Sequence, residues 1–285
     1  FKNTPHQIKN EQQTKKQISI LSTAGLKGFG IYSDAIVDDS KMSLEMIYDG
    51  LINKKCQALN YHQLLEVRLT SRSTHLLKIK NILTNDILTF HVKHLVFAAG
   101  PFTDQIMKET TPFIWDDIIL PSKGSHLWFK KSDLPIESPL VMTAKDGRII
   151  FVIPQNKMVL VGTTEIPIKN SFDAVEISNE ETIYLLKMLN EYFPSLNLDQ
   201  SKIIGSFAGI RPLVKDPYES KLGKTSREHR VIMPSKNTFV IAGGKYTTFR
   251  RMTQEIARTI VQRYHHNYDE EKTQNTLRQK SIITS

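Results

Sequence analysis

The sequence predicts an α/β fold, of the α+β kind, in which a doubly wound unit is split in sequence around a mainly antiparallel insertion. Two observations carry this. Buried-type apolar strands run into glycine and then a helix at His94–Gly100 and again, with β-branched residues, at Thr238–Gly244. Between them, from about Trp115 to Asn237, the pattern changes to alternating strands broken by turn residues. The expected organisation is a polar arm over 1–27, a first unit built from 28–113 and 238–266, an inserted unit over 114–237 and a polar tail over 267–285.

The elements follow in order. Residues 1 to about 17 are rich in Lys, Gln and Asn with few apolar anchors, and read as a polar arm or the end of a further element, with no function assigned. Ile31 to Val37 reads as a short strand. Asp38-Asp39-Ser40 supplies capping side chains ahead of the periodic Met42, Leu44, Met46, Ile47 and Leu51, which predicts a helix. Strands are expected around Gln63–Leu69, Leu76–Ile82 and Ile87–Val92, then a parallel-type strand to Gly100 and a helix from Phe102 or Thr103. Within the insertion, Ser125–Phe129 reads as a strand, and Arg148–Ile153 and Met158–Gly162 form a hairpin. Ser178-Asn-Glu-Glu181 is a capping box opening a helix that Pro194 stops.

Composition bounds the function. The apolar fraction of 40% and charged fraction of 24% are those of a folded domain. The net charge of +9 permits an anionic substrate, an acidic membrane surface or nucleic acid, but the basic residues form no dense block, which disfavours nucleic acid. A single cysteine, Cys56, excludes an intrachain disulfide and a cysteine-rich metal site, and suits a reducing cytosol. No apolar run reaches the ~18 residues of a spanning helix, so any membrane contact is expected to be peripheral.

Chemistry is expected at the strand-glycine-helix junctions, because in doubly wound sheets the C-terminal strand edge is where dinucleotides bind. Gly243 and Gly244 let a ligand approach the backbone, and Lys245, Thr247 and Thr248 add a cation and two hydroxyls; a plain tight turn is the alternative. Gly25-Leu-Lys-Gly28-Phe-Gly30 has the wrong glycine order for a dinucleotide turn, and Gly223-Lys224-Thr225 has Tyr218 where a nucleotide-triphosphate loop needs glycine. Arg211, between Gly209 and Pro212, and Arg227 offer planar paired donors for phosphate or carboxylate, against a structural ion pair as the alternative. His126, after a glycine turn at the head of a strand, is a candidate base or a structural histidine.

Taken in order, these segments resemble the FAD-dependent glycerol-3-phosphate dehydrogenases, within the larger D-amino-acid-oxidase-like group of flavoproteins. The matching blocks are Gly30–Ala35 with Val37-Asp-Asp39, Val96–Phe102, Lys123-Gly-Ser-His126, Asp146–Pro154, Gly162-Thr-Thr-Glu165, Tyr184-Leu-Leu186, Ala208–Leu213, Ser226-Arg-Glu-His229 and Ala242–Arg250. The resemblance implies a partial FAD-binding Rossmann-like domain with an inserted substrate or cap domain. It implies oxidation of sn-glycerol 3-phosphate to dihydroxyacetone phosphate by hydride transfer to flavin N5, with electrons leaving to a quinone, in a cytoplasmic protein with room for peripheral contact with the inner membrane. On this basis Arg211, Arg227, Lys245 and Thr247 are the expected substrate-binding residues, with His126, Lys245 and Arg211 as the expected catalytic set. Ala99, Gly100, Gly243, Gly244, Lys245 and Thr247 are expected to line FAD.

The 285 residues depart from the family pattern in lacking its G-x-G-x-x-G strand-helix turn and its helical C-terminal domain. Phe102 stands where tryptophan is common, and Glu165 where aspartate is common. The expectation is therefore a portion of such an enzyme. An oxidase or amine-oxidising enzyme of the same fold, and a non-catalytic fragment or paralogue without FAD, remain the alternatives.

Overall fold

A computed structural model describes residues 5–52, 56–70, 74–168, 175–215 and 229–264. The chain forms two compact units, one from Phe1–Ala35 with Pro121–Arg211 and the other from Ile36–Leu120 with Pro212–Ser285. The architecture is mixed α/β, as the sequence predicts.

In the first unit, β1 (Gln7–Asn10) pairs antiparallel with β2 (Gly28–Ile31). Between them, α1 (Glu11–Gln17) opens on a capping box made by Asn10 and Gln13. The stretch expected to be a featureless arm is thus folded, because Ile18, Ile20 and Leu21 just beyond it pack on the unit's core. The strand expected over 31–37 instead ends at Ile31. Beyond it the Asp34 carboxylate accepts the Ala35 amide at 2.8 Å, a local bond that competes with ladder formation.

The main sheet of this unit has the order β11 (Ile166–Pro167), β7 (Ile119–Lys130), β10 (Met158–Gly162), β9 (Ile149–Gln155), β8 (Leu140–Thr143), with β12 (Ile203–Val214) also pairing β7. The β9–β10 hairpin turns through Asn156, which takes the left-handed conformation that asparagine tolerates. Helix α4 (Asn179–Tyr192) covers one sheet face and starts at the expected Ser178/Glu181 capping box. Leu127 and Phe129 of β7, Ile150 and Val152 of β9, Val159 and Val161 of β10 and Leu185 and Leu189 of α4 form one buried cluster. Alternation along β7 is the organising pattern: odd positions enter this core, so even positions emerge on the opposite face.

In the second unit, β3 (His62–Leu69), β4 (His75–Asn81) and β5 (Ile87–Val92) make an antiparallel meander, matching the three expected strands within a residue or two. A separate sheet has the order β13 (His229–Ser235), β14 (Thr238–Gly243), β6 (Leu95–Phe97), with β14 and β6 parallel. Both faces of β14 are covered. Val240 packs with Phe97 and with Met107 of α3 (Thr103–Thr110), while Phe239 and Ile241 pack with Ile256 of α5 (Phe249–Tyr264). This explains the continuous apolar run of β14. The expected helix forms as α2 (Asp39–Ile52), but its Leu44, Ile47, Tyr48 and Leu51 remain exposed. No helix among the described residues is long and apolar enough to cross a membrane.

Asp104, in the first turn of α3, sets the path out of this unit. Its carboxylate accepts the Trp115 indole N–H at 2.9 Å and the amides of Ile118 and Ile119 at 3.1 and 2.9 Å. Asp104→Ala removes all three acceptor contacts and is expected to cost about 2 kcal/mol. Urea unfolding followed by tryptophan fluorescence tests this; an unchanged midpoint would refute the anchoring role.

Candidate functional site

On the outward face of β7 and its neighbour β10, two glycines create hollows that the Arg211 and His126 side chains fill. A Cβ built on Gly124 would lie 2.1 Å from Arg211 Nη2, so the guanidinium from β12 lies directly over the bare backbone of Gly124. A Cβ on Gly162 of β10 would lie 2.3 Å from the His126 ring, and Gly162 is the cross-strand partner of His126. Glycine inside a strand commonly marks such a close approach.

Arg211 is held by hydrogen bonds as well as by shape. Its Nη2 donates to Thr163 Oγ1 at 2.6 Å and its Nη1 to the Thr164 carbonyl at 3.3 Å. The His126 ring stacks on Phe207 of β12, with centroids 4.7 Å apart and planes 12° from parallel. Burial, and after it the Arg211 charge, lower the His126 pKa from 6.5 to about 4, so the imidazole is neutral at neutral pH. Its Nδ1 is buried without a hydrogen-bond partner. Structure therefore brings Arg211 and His126 into one electrostatic cluster.

Behind this face, within the core, sits Glu181 of α4, 2% exposed. Its Oε1 accepts from Thr164 Oγ1 at 2.6 Å and Ser125 Oγ at 2.7 Å. Its Oε2 accepts from Lys123 Nζ at 2.7 Å and the Ser178 amide at 2.9 Å. Burial alone would raise this carboxyl's pKa, but the bonds from Lys123, Thr164, Ser178 and Ser125 outweigh it and bring the pKa to about 2. Sequence reasoning identified Glu181 only as a helix cap, quoted Thr163 and Thr164 within the Gly162–Glu165 block without giving them a role, and passed over Phe207. The available signal was Gly124, which lies inside β7 where the sequence suggested a turn, and Gly162 at the end of β10.

In the second unit, Ala99 and Gly100 follow β6, and Gly243 and Gly244 end and follow β14. Since β6 and β14 are parallel neighbours, both glycine sites emerge at one sheet edge. Gly100, Gly243 and Gly244 have φ of 55°, 74° and 81°, the left-handed region that favours glycine. A Cβ on Gly100 would meet nothing within 4 Å, so open space faces this backbone. Lys245 and Thr247 are exposed on the turn leading to α5. Tyr246 fixes that turn to the start of α2: its hydroxyl lies 2.8 Å from both the Asp39 carbonyl and Ser43 Oγ. Arg227 lies outside the described residues. Among those described, no cluster of three or more His, Cys, Asp or Glu has metal-binding geometry.

A flavoprotein architecture is what these features define, and the chain belongs to the FAD dependent oxidoreductase (DAO) family, whose profile matches residues 3–267. Curated relatives include the aerobic glycerol-3-phosphate dehydrogenase of Bacillus subtilis, 28% identical over 256 residues, covering 88% of this chain and 45% of the relative. The enzyme of that name from Staphylococcus haemolyticus is 29% identical, covering 94% of this chain and 48% of its own length. The chain therefore spans about half the length of the curated relatives it matches. Among solved structures, the glycerol-3-phosphate dehydrogenase of Bacillus halodurans complexed with FAD superposes with a TM-score of 0.80 at 26% identity, covering 93% of this chain and 51% of that one. The L-alpha-glycerophosphate oxidase of Mycoplasma pneumoniae, at 18% identity and a TM-score of 0.71, covering 90% of this chain and 64% of its own, supports the fold alone. FAD is the family's cofactor. The open backbone at Gly100 fits the approach of a planar ring, whereas at Gly244 the Met252 side chain already fills the space a Cβ would take, and the 285 residues hold no G-x-G-x-x-G for its phosphates.

Two kinds of test follow from this geometry. Gly124→Ala would push the Arg211 guanidinium off its bonds to Thr163 and Thr164, and is expected to cost about 1 kcal/mol of stability. Thermal unfolding of parent and variant measures this; an unchanged midpoint would refute the packing of Arg211 on Gly124. The second test uses pH. His126, lowered in the folded state, makes stability fall as pH drops from 6.5 towards 4. Glu181, also lowered, contributes stability present above 4.5 that is lost as pH drops towards 2. In urea unfolding across pH, His126→Phe is expected to flatten the upper window and Glu181→Gln the lower. Parallel curves for parent and variants would contradict both assignments.

Proposed function

We propose that this chain is a portion of an FAD-dependent enzyme that oxidises sn-glycerol 3-phosphate to dihydroxyacetone phosphate and passes the electrons to a quinone. The supporting observation is the anchored Arg211, a guanidinium held by Thr163 and Thr164 beside a neutral histidine. It occurs in a family member whose relatives carry the name aerobic glycerol-3-phosphate dehydrogenase.

In this proposal, FAD when bound supplies the acceptor for the hydride leaving C2. Ala99, Gly100, Gly243 and Gly244 line the flavin, with Gly100 offering it open backbone. Lys245 lies near the substrate hydroxyl or flavin edge, with Thr247 as a supporting hydroxyl. Arg211 grips the substrate phosphate, a task suited to a planar fork of donors. Arg227 joins it in that role. His126 takes the C2-hydroxyl proton: it is neutral at neutral pH, so its ring nitrogen is available to accept one. Phe207 holds the imidazole plane during that transfer.

The functional test begins with flavin absorbance of the purified chain, alone and mixed with a segment carrying G-x-G-x-x-G, followed by dye reduction with glycerol 3-phosphate. A yellow protein that reduces dye is expected. A colourless, inert preparation under both conditions would favour a non-catalytic fragment. In the flavin-loaded protein, Arg211→Ala is expected to cost about 2–5 kcal/mol of transition-state stabilisation, at least roughly thirtyfold in kcat/KM, with flavin content unchanged. Equal kinetics in variant and parent would defeat the phosphate-grip assignment.

A further inference from the structure

Glu181 lies on a helix, away from the strands that carry Arg211 and His126, yet three of its four donors come from the segments that build their site. We propose that Glu181 is a positioning residue for the Arg211 guanidinium, acting through Thr164. The proposal rests on the reading of Arg211 as the phosphate grip.

The path of contacts is short. Thr164 Oγ1 donates to Glu181 Oε1 at 2.6 Å and accepts the Ser125 amide at 2.9 Å, which fixes the rotamer of Thr164 and the register of its backbone against β7. The same residue's carbonyl accepts Arg211 Nη1 at 3.3 Å. Thr163, one position earlier, accepts Arg211 Nη2 at 2.6 Å and donates onward to the Thr164 carbonyl at 3.1 Å. These two acceptors of the guanidinium thus sit within one residue of the side chain Glu181 clamps.

A capping role alone does not account for this arrangement. The capping box of α1 works with an uncharged glutamine at the surface, Gln13, which bonds only to the Asn10 backbone. Glu181 does the same with Ser178, but it is buried and also draws in Lys123, Ser125 and Thr164. Taking a carboxylate out of water carries a substantial desolvation cost, which its four hydrogen bonds here offset. Here all four of its acceptor positions are occupied, leaving it one pose.

The experiment uses the full chain labelled with 15N-arginine, comparing parent, Glu181→Gln and Thr164→Val. The Arg211 signal is assigned by its loss in Arg211→Lys. Two quantities are read: solvent exchange of the Arg211 Nε–H, and the dissociation constant for sn-glycerol 3-phosphate. In Glu181→Gln, faster Arg211 exchange is expected, with a dissociation constant raised about tenfold or more, the order seen when supporting residues behind metal ligands are lost. Thr164→Val, which keeps side-chain shape, is expected to do the same and serves in its place should Glu181→Gln fail to fold. A lowered Tm with Arg211 exchange and affinity both matching the parent would overturn the proposal and leave Glu181 a structural residue. Should the parent bind no glycerol 3-phosphate, the substrate reading fails, and Arg211 exchange alone then decides the positioning role.

Discussion

A single buried carboxylate ties together the first unit. Glu181 receives donors from β7, from the segment after β10, and from the cap of its own helix, so three parts distant in sequence meet on two oxygens. Its ionised state is self-consistent: burial opposes charge, and four hydrogen bonds, one from an ammonium, overcome that opposition. Removing any one donor would leave the remainder facing a carboxylate with an empty acceptor position in the core. That asymmetry makes the network cooperative, because its members are worth more together than pairwise addition suggests.

Strand alternation then separates structure from chemistry. Along β7, Ser125, Leu127 and Phe129 enter the core while Gly124, His126 and Trp128 form the opposite face. Residues of the neighbouring strand β12 meet this face: Gly205 lies beside Trp128, Phe207 stacks on His126, and Arg211 covers Gly124. Arg211 and His126 each occupy space that a Cβ on Gly124 or Gly162 would fill. A slip of one residue in β7 would send His126 into the core and Leu127 out to this face, so hydrophobic burial of the odd positions specifies the site's register.

Local chemistry accounts for what was legible in the sequence. The capping box at Ser178, the hairpin through Asn156 and the glycines ending β6 and β14 each follow from residues within a few positions of one another. The strand expected at 31–37 was misplaced because the ladder partner of Gly28–Ile31, the strand Gln7–Asn10, sits in a stretch whose composition is polar. Pairing between backbones leaves little trace in side-chain type. The same limit explains the site. Arg211 and His126 stand out by chemistry, whereas Thr163, Thr164 and Glu181 acquire their roles only through contacts spanning 17 to 56 positions. Their residue types alone suit any strand end or helix cap.

The coupling between Arg211 and His126 links binding to proton transfer under the proposed reaction. After burial, the arginine's positive charge is the second cause of the low His126 pKa, since it disfavours an imidazolium nearby. An anion gripped by Arg211 offsets that charge, and so raises the basicity of the imidazole at the moment a substrate arrives. Burial and the Phe207 face remain, so the histidine does not become a freely titrating surface group. Without substrate the site keeps its histidine neutral beside a cation; with a phosphate in place the same histidine gains the electrostatic support that an imidazolium formed during oxidation requires.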